Sequence, residues 1–324
     1  AIRLGLITMN SNYPLSREIT QFVETSERFF PAEVVAQGIE AQRQAYNAMA
    51  EHFSPPRPEG LKVSDECLKG VPVRRYQPEG GRAGPRMLFA HGGGWYLGGL
   101  DSHDSFCAQL AHDCQQEVIA VDYRLAPEAP YPAGLDDLTE VYQAVLQSDA
   151  QPPVLVGDSA GANLMAALTL RCSRLGLPAA GGQVLIYPAL ASPGSQTTHQ
   201  TLADAPLLDR AGLEFCWRNY VQGIELIGPA REEVVPLNAD LFEGLPPSVI
   251  LAAQFDPLVD DAHAYSEQLS AAGIQCRYRE IAGLVHGGLR AVGQAEEADE
   301  LYRLICEGVR WLVDCPPNDR RSEQ

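Results

Sequence analysis

The sequence contains no stretch near the ~18 consecutive apolar residues of a membrane-spanning helix, no lysine- or arginine-rich run, and no cysteine pair at zinc-finger or CxxC spacing. Each absence removes a class of function. The 42 acidic residues outnumber the 24 basic ones, for a formal net charge of −18 at pH 7. That balance argues against binding to nucleic acid or an anionic membrane, since both need basic surface. The eight cysteines (Cys67, Cys107, Cys114, Cys172, Cys216, Cys276, Cys306 and Cys315) are scattered and too sparse for a disulfide scaffold. They read as reduced, mostly buried thiols. No HExxH or similar histidine spacing appears, so no catalytic metal is expected. The opening AIRLGLITMNSN has no basic region followed by an apolar run of signal-peptide length, and a cytoplasmic location is expected. No internal repeat or low-complexity stretch is visible.

What is present is enough apolar material for a large core: 45% of 324 residues, fitting one large α/β domain with or without a subsidiary lobe. Residues 15–53 have the apolar spacing of two helices, ended by the proline-rich Ser54–Gly60. From Leu61 the period changes to two half-exposed strands of a hairpin. Thereafter short buried strands (MLFA, EVIAVDY, PPVLVGD, QVLIYPAL, SVILAAQ, QCRYREIAG) alternate with helices, the last over Glu296–Val313. Such alternation predicts a mostly parallel sheet with helices on both sides. Ala191–Pro247 breaks the rhythm. An insertion of that length in a compact domain reads as a lid, able to pack with the N-terminal helices.

The stretch that organises the chain is Pro153–Gly161. A short buried strand, Val154–Val156, leads into Gly157-Asp158-Ser159-Ala160-Gly161, and helical character resumes at Ala162. Strand, glycine-flanked serine and helix are the context of a nucleophile elbow. A serine hydroxyl needs a base, an orienter for that base, and donors for the oxyanion. In the chain order serine, acid, histidine, the candidates are Asp256, after strand SVILAAQ, and His286, after the last strand. Asp260 and Asp261 are rival acids, placed where a helix begins and so suited to its N-cap and first turn. His52, His103, His112, His199 and His263 have ordinary structural readings.

His91-Gly92-Gly93-Gly94-Trp95 follows a buried strand, and consecutive glycines there let backbone N–H groups turn toward a pocket. Gly93 and Gly94, with Ala160 from the elbow, are the expected oxyanion donors, and His91 is expected to anchor their loop.

Together these motifs, with Asp122-Tyr123-Arg124-Leu125-Ala126-Pro127-Glu128 between them, closely resemble those of the bacterial hormone-sensitive-lipase-like carboxylesterases over about residues 60–315. The resemblance implies an α/β-hydrolase core, a mostly parallel eight-stranded sheet with helices on both faces, plus a helical cap. On that reading residues 1–54 and 191–247 form the cap, 55–190 and 248–315 the core, and 316–324 a disordered tail. It places the triad on Ser159, Asp256 and His286, implies soluble esters of short to medium acyl chain as substrates, and needs no cofactor. A homodimer fits the habit of such relatives. Trp95, Tyr187, Trp217 and Tyr220 are candidate pocket residues, with Phe29 and Phe30 as further cap aromatics. Arg124 and Glu128 are expected to join a buried polar network. Many relatives carry an aromatic where this chain has Gly288, a change expected to loosen the pocket floor. Two alternatives stand beside ester hydrolysis: an arylformamidase-like amide hydrolase, and a non-catalytic binding protein on the same scaffold.

Overall fold

A computed structural model describes residues 13–148 and 151–314. The opening segment, the tail and Cys315 lie outside the described residues. The hairpin strands β1 (Leu61–Leu68) and β2 (Val71–Pro78) begin the sheet. They are followed by β3 (Met87–Ala90), β4 (Val118–Val121), β5 (Val154–Asp158), β6 (Gly182–Ile186), β7 (Ser248–Phe255) and β8 (Cys276–Val285). The strands lie in the order β1-β2-β4-β3-β5-β6-β7-β8. The pairs β1–β2 and β2–β4 are antiparallel and the rest parallel. The expected eight-stranded, mostly parallel sheet is therefore present.

Strand residues alternate between two cores because successive side chains point to opposite faces. Leu88, Ala90, Ile119, Leu155, Leu185 and Ile250 pack beneath α5 (Ala133–Ser148), α6 (Ala160–Leu175) and α10 (Val259–Ala271). Met87, Phe89, Val118, Val154, Val184 and Leu251 pack on the other face, beneath α4 (Asp104–Cys114) and α11 (Glu296–Asp314). Strands β3 to β6 are buried throughout. Being covered on both faces, they read in the sequence as continuous apolar runs.

The N-terminal stretch forms three helices where two were expected: α1 (Arg17–Glu27), α2 (Ala32–Ala36) and α3 (Ile39–Phe53). Pro31 and Gly38, the latter at φ 98°, supply the extra break. The insertion holds α7 (Thr198–Thr201), α8 (Arg210–Val221) and α9 (Pro229–Val234).

Buried charge ties the insertion to the core. The Glu233 side chain of α9 is 1% exposed and accepts from Arg171 Nε at 2.9 Å, Arg171 Nη2 at 2.6 Å and the Tyr131 hydroxyl at 2.6 Å. Arg174 adds a further contact. Arg124 and Glu128 do not form the buried network expected of them. Their side chains are 59% and 62% exposed; Arg124 pairs with Asp137, and Glu128 with Arg43 of α3. They fall on the rim of the motif loop, where each ties a different helix to it.

His199 is structural, as its sequence reading has it. It is fully buried on α7, with Nε2 2.8 Å from Asp261 Oδ1, while its Nδ1 accepts from the Gly194 amide. Asp261 further accepts from the Leu190 and Ala191 amides, where the insertion leaves the core. Burial outweighs these partners and raises its carboxyl above the ordinary aspartate range. Leu258, not an aspartate, caps α10; Asp260 and Asp261 stand in its first turn.

Candidate active site

The parallel strands end on one side of the sheet, and the site lies there, as open α/β sheets favour. Ser159 sits between β5 and α6 at φ 54°, ψ −118°. A non-glycine residue in this region carries roughly 1–3 kcal/mol of strain. Its amide donates to Ile186 O at 2.8 Å, tying the turn to β6. The flanking glycines are sterically required. A Cβ on Gly157 would lie 2.7 Å from the Gly161 backbone, and one on Gly161 would lie 2.6 Å from His91 O. Ser159 thus stands at the positive end of the α6 dipole.

His286 and Asp256 meet Ser159 from two other strand ends. Ser159 Oγ lies 2.9 Å from His286 Nε2, and His286 Nδ1 lies 2.7 Å from Asp256 Oδ2. An ionised carboxylate only accepts, so Nδ1 carries the proton and Nε2 is left to accept from the serine. Asp256 is fully buried, and its other oxygen accepts from the Leu258 amide at 2.9 Å. The rival acids are engaged elsewhere: Asp260 with Thr198 N–H and Asp261 with His199.

The amides of Gly93, Gly94 and Ala160 border the same cavity, and none has an acceptor among the described residues. Gly93 holds φ 125°, and a Cβ there would collide with the Leu97 carbonyl. The loop is braced from behind. Gly92 N–H donates to Asp158 Oδ1 at 2.8 Å, and His103 Nε2 lies 3.3 Å from the same oxygen. Burial pushes the Asp158 carboxyl up, but His103, Arg290 and the Gly92 amide outweigh it and hold it below the usual range. Tyr123 stacks on the His91 ring, with centroids 4.4 Å apart, and donates to His91 O at 2.6 Å. Burial lowers His91 to about 4, so it is a neutral brace, as expected of an anchor.

The cavity above Ser159 holds about 480 Å³, room for a small organic ester. Trp95 and Tyr187 line it. The Tyr187 ring lies 4.8 Å from that of His286. Trp217 and Tyr220 do not line it. Helix α8 presents Gly212, Leu213 and Cys216 to the cavity, while Tyr220 stacks on Trp95 at 4.5 Å with nearly parallel rings. Trp217 packs against the core beneath. Of the two further cap aromatics only Phe30 reaches the cavity; Phe29 lies against His52. Gly288 is not on the wall, and a Cβ there would press on Leu284 at 2.6 Å. It lies behind the site, against the Leu284 side chain.

Phe22, Tyr46, Met49 and Phe53 of the N-terminal helices, together with Cys216 and Arg290, complete a wall that was not assigned from the sequence. The periodic apolar face of α3 was the available signal for Met49 and Phe53. Among the described residues no cluster could hold a metal ion, and no helix is long and apolar enough to cross a membrane.

Residues 87–290 match a family model described as alpha/beta hydrolase fold. The carboxylesterase NlhH of Mycobacterium tuberculosis is 39% identical over 240 residues, covering 71% of this chain and 75% of that protein. The carboxylic ester hydrolase LipN of the same species is 33% identical over 307 residues, covering 88% and 81%. A crystal structure of an esterase from the bacterial hormone-sensitive lipase family superposes with a TM-score of 0.82 at 25% identity, covering 91% of this chain and 98% of the other.

Proposed function

Because the chain belongs to the α/β-hydrolase fold family and is a hormone-sensitive-lipase-like carboxylic ester hydrolase, we propose that Ser159 is its nucleophile, His286 its general base and acid, and Asp256 the group that orients His286. His286 Nε2 takes the hydroxyl proton as Ser159 Oγ attacks the ester carbonyl. The amides of Gly93, Gly94 and Ala160 receive the developing oxyanion. Nε2 then returns the proton to the leaving alkoxide. Water, deprotonated by the same nitrogen, releases the acid from the acyl-enzyme. Asp256 keeps the Nδ1–H tautomer in place and stabilises the imidazolium as it forms. Removing one oxyanion donor typically costs ~10²–10³ in rate.

One observation carries this reading: a continuous chain of contacts from Ser159 through His286 to Asp256, at 2.9 and 2.7 Å, beside three amides without acceptors among the described residues. The cavity volume favours esters of short to medium acyl chain. Among the described residues, those up to 54 and those of 191–247 serve as the cap over a core formed from the rest, and a cytoplasmic setting suits the seven unpaired thiols found there. Initial rates on p-nitrophenyl esters from acetate to long acyl chains test the proposal. Short esters should turn over, and Ser159→Ala should abolish turnover; a Ser159→Ala variant as active as the parent would refute it.

A further inference from the structure

Arg290 is the cation on the cavity wall, carried by the turn after His286. Other arginines held in the fold meet carboxylates: Arg171 pairs with Asp136 and Glu233, and Arg74 with Asp65, Asp101 and Asp104. Arg290 does not. Among the described residues no carboxylate comes within ion-pair distance of it. Its Nη1 donates to Ser102 O at 2.8 Å, and its guanidinium lies over the Tyr46 ring at 4.7 Å. The Tyr46 hydroxyl lies beside the guanidinium as well, but Arg290 Nη2 is buried and makes no hydrogen bond of good geometry. A buried donor left unmade is costly, more so on a charged group, and such a group favours any ligand that brings an acceptor. The three carboxylates on the cavity wall are engaged elsewhere, Glu27 among them. Asp158 is held by Gly92 and His103, and Asp113 by Gln109, His112 and Tyr302. A second orphan lies on the same wall: the Ser26 hydroxyl of α1 is buried without a partner.

We propose that Arg290, stacked on Tyr46, is a specificity-determining residue that receives an oxygen acceptor carried by the substrate away from its scissile ester. The preferred substrates are then esters bearing a second oxygen function, a carboxylate or a neutral carbonyl, and not plain alkyl esters. A guanidinium suits either, but binds a carboxylate with two parallel hydrogen bonds. The inference rests on the esterase reading above and deepens it.

The test is a pH-stat comparison of matched esters. Set against plain ethyl pentanoate, diethyl glutarate and monoethyl glutarate place a second acceptor on the acyl side; set against plain butyl acetate, 4-acetoxybutanoate places one on the alcohol side. The wild-type enzyme should favour the oxygen-bearing member of at least one set by about tenfold or more in kcat/KM, as a charge-assisted hydrogen bond allows. Arg290→Met should collapse that ratio toward one whatever happens to absolute rates, and Arg290→Lys should keep part of it. A monoester favoured over the diester identifies the acceptor as a carboxylate; parity of the two identifies a neutral carbonyl oxygen. The proposal is overturned if the wild type treats plain and oxygen-bearing esters alike, or if Arg290→Met keeps the wild-type ratio. Failure to hydrolyse any of these esters would instead count against the esterase reading. Should Arg290→Met not fold, the wild-type and Arg290→Lys ratios still decide.

Discussion

His286 Nδ1 lies 2.7 Å from Oδ2 of Asp256, a carboxylate with no solvent exposure. The pairing fixes the imidazole tautomer, so that Nε2 faces Ser159 with a lone pair. Asp256→Asn should keep the shape, and the oxygen of the new side-chain amide can still accept from Leu258 N–H. That amide also offers a donor to Nδ1, however, and so favours the opposite tautomer. Turnover should fall by about 10³–10⁴ with little change in Tm, measured by steady-state kinetics beside thermal melting. A loss below tenfold would mean that Asp256 does not orient the base.

The elbow glycines give a steric prediction. A methyl group on Gly161 would press on the Ala90 and His91 backbone, which cannot rotate away as a side chain could. Gly161→Ala should cost at least ~1–3 kcal/mol, the range typical of overpacking a filled core. Urea denaturation of purified protein measures it; an unchanged midpoint would contradict the close approach of α6 to β3.

The pair of Arg171 and Glu233 should matter for stability and for its pH dependence. Glu233 is pushed up by burial and pulled down more strongly by Arg171, Tyr131 and Arg174, so its folded pKa is depressed. A depressed carboxyl contributes stability above its unfolded value, about 4.5, and that contribution is lost as pH falls through the lower folded value. Arg171→Met, which leaves the buried carboxylate with only Arg174 and the Tyr131 hydroxyl, should cost up to about 3–5 kcal/mol near neutrality. The gap between variant and parent should narrow as pH falls and close only below the depressed folded pKa of Glu233. Melting curves of both from pH 7 to 3 check the sign; a gap that widens in acid would contradict the assignment.

Cys216 of α8 sets one dimension of the cavity. A Cβ on Gly94 would run into its sulfur, so the thiol lies directly against the glycine loop. Cys216→Trp should shorten the preferred acyl or alkoxy group, seen as a lower chain-length optimum on p-nitrophenyl esters. An unchanged optimum would place the ester elsewhere in the cavity.

The sheet, the elbow and the order Ser159, Asp256, His286 were legible because each is written locally. A buried strand is a short apolar run, and the elbow needs its glycines at fixed offsets from the serine. The pocket wall was less legible, because it depends on which side of a helix meets a distant element. On α8, Trp217 and Tyr220 lie one step around the helix from Gly212 and Cys216, which with Leu213 at the boundary meet the cavity. Aromatic content drew attention to the wrong neighbours. Partner choice in polar groups was likewise hidden. His199 and Asp261 are 62 residues apart, and nothing in either local sequence marks them as a buried pair. Arg124 and Glu128 sit within one motif, yet point to Asp137 and Arg43 on different helices. Arg290 looks like an ordinary surface cation until the fold places it on the cavity wall.

The central claim is that Ser159 becomes acylated. The direct measurement is treatment with a fluorophosphonate, followed by peptide mass spectrometry and ester turnover for the parent and Ser159→Ala. One adduct on the peptide holding Ser159, with stoichiometric loss of activity and neither adduct nor turnover in Ser159→Ala, is the predicted result. Turnover that survives in Ser159→Ala, or a stoichiometric adduct on another residue that tracks the loss of activity, would contradict it.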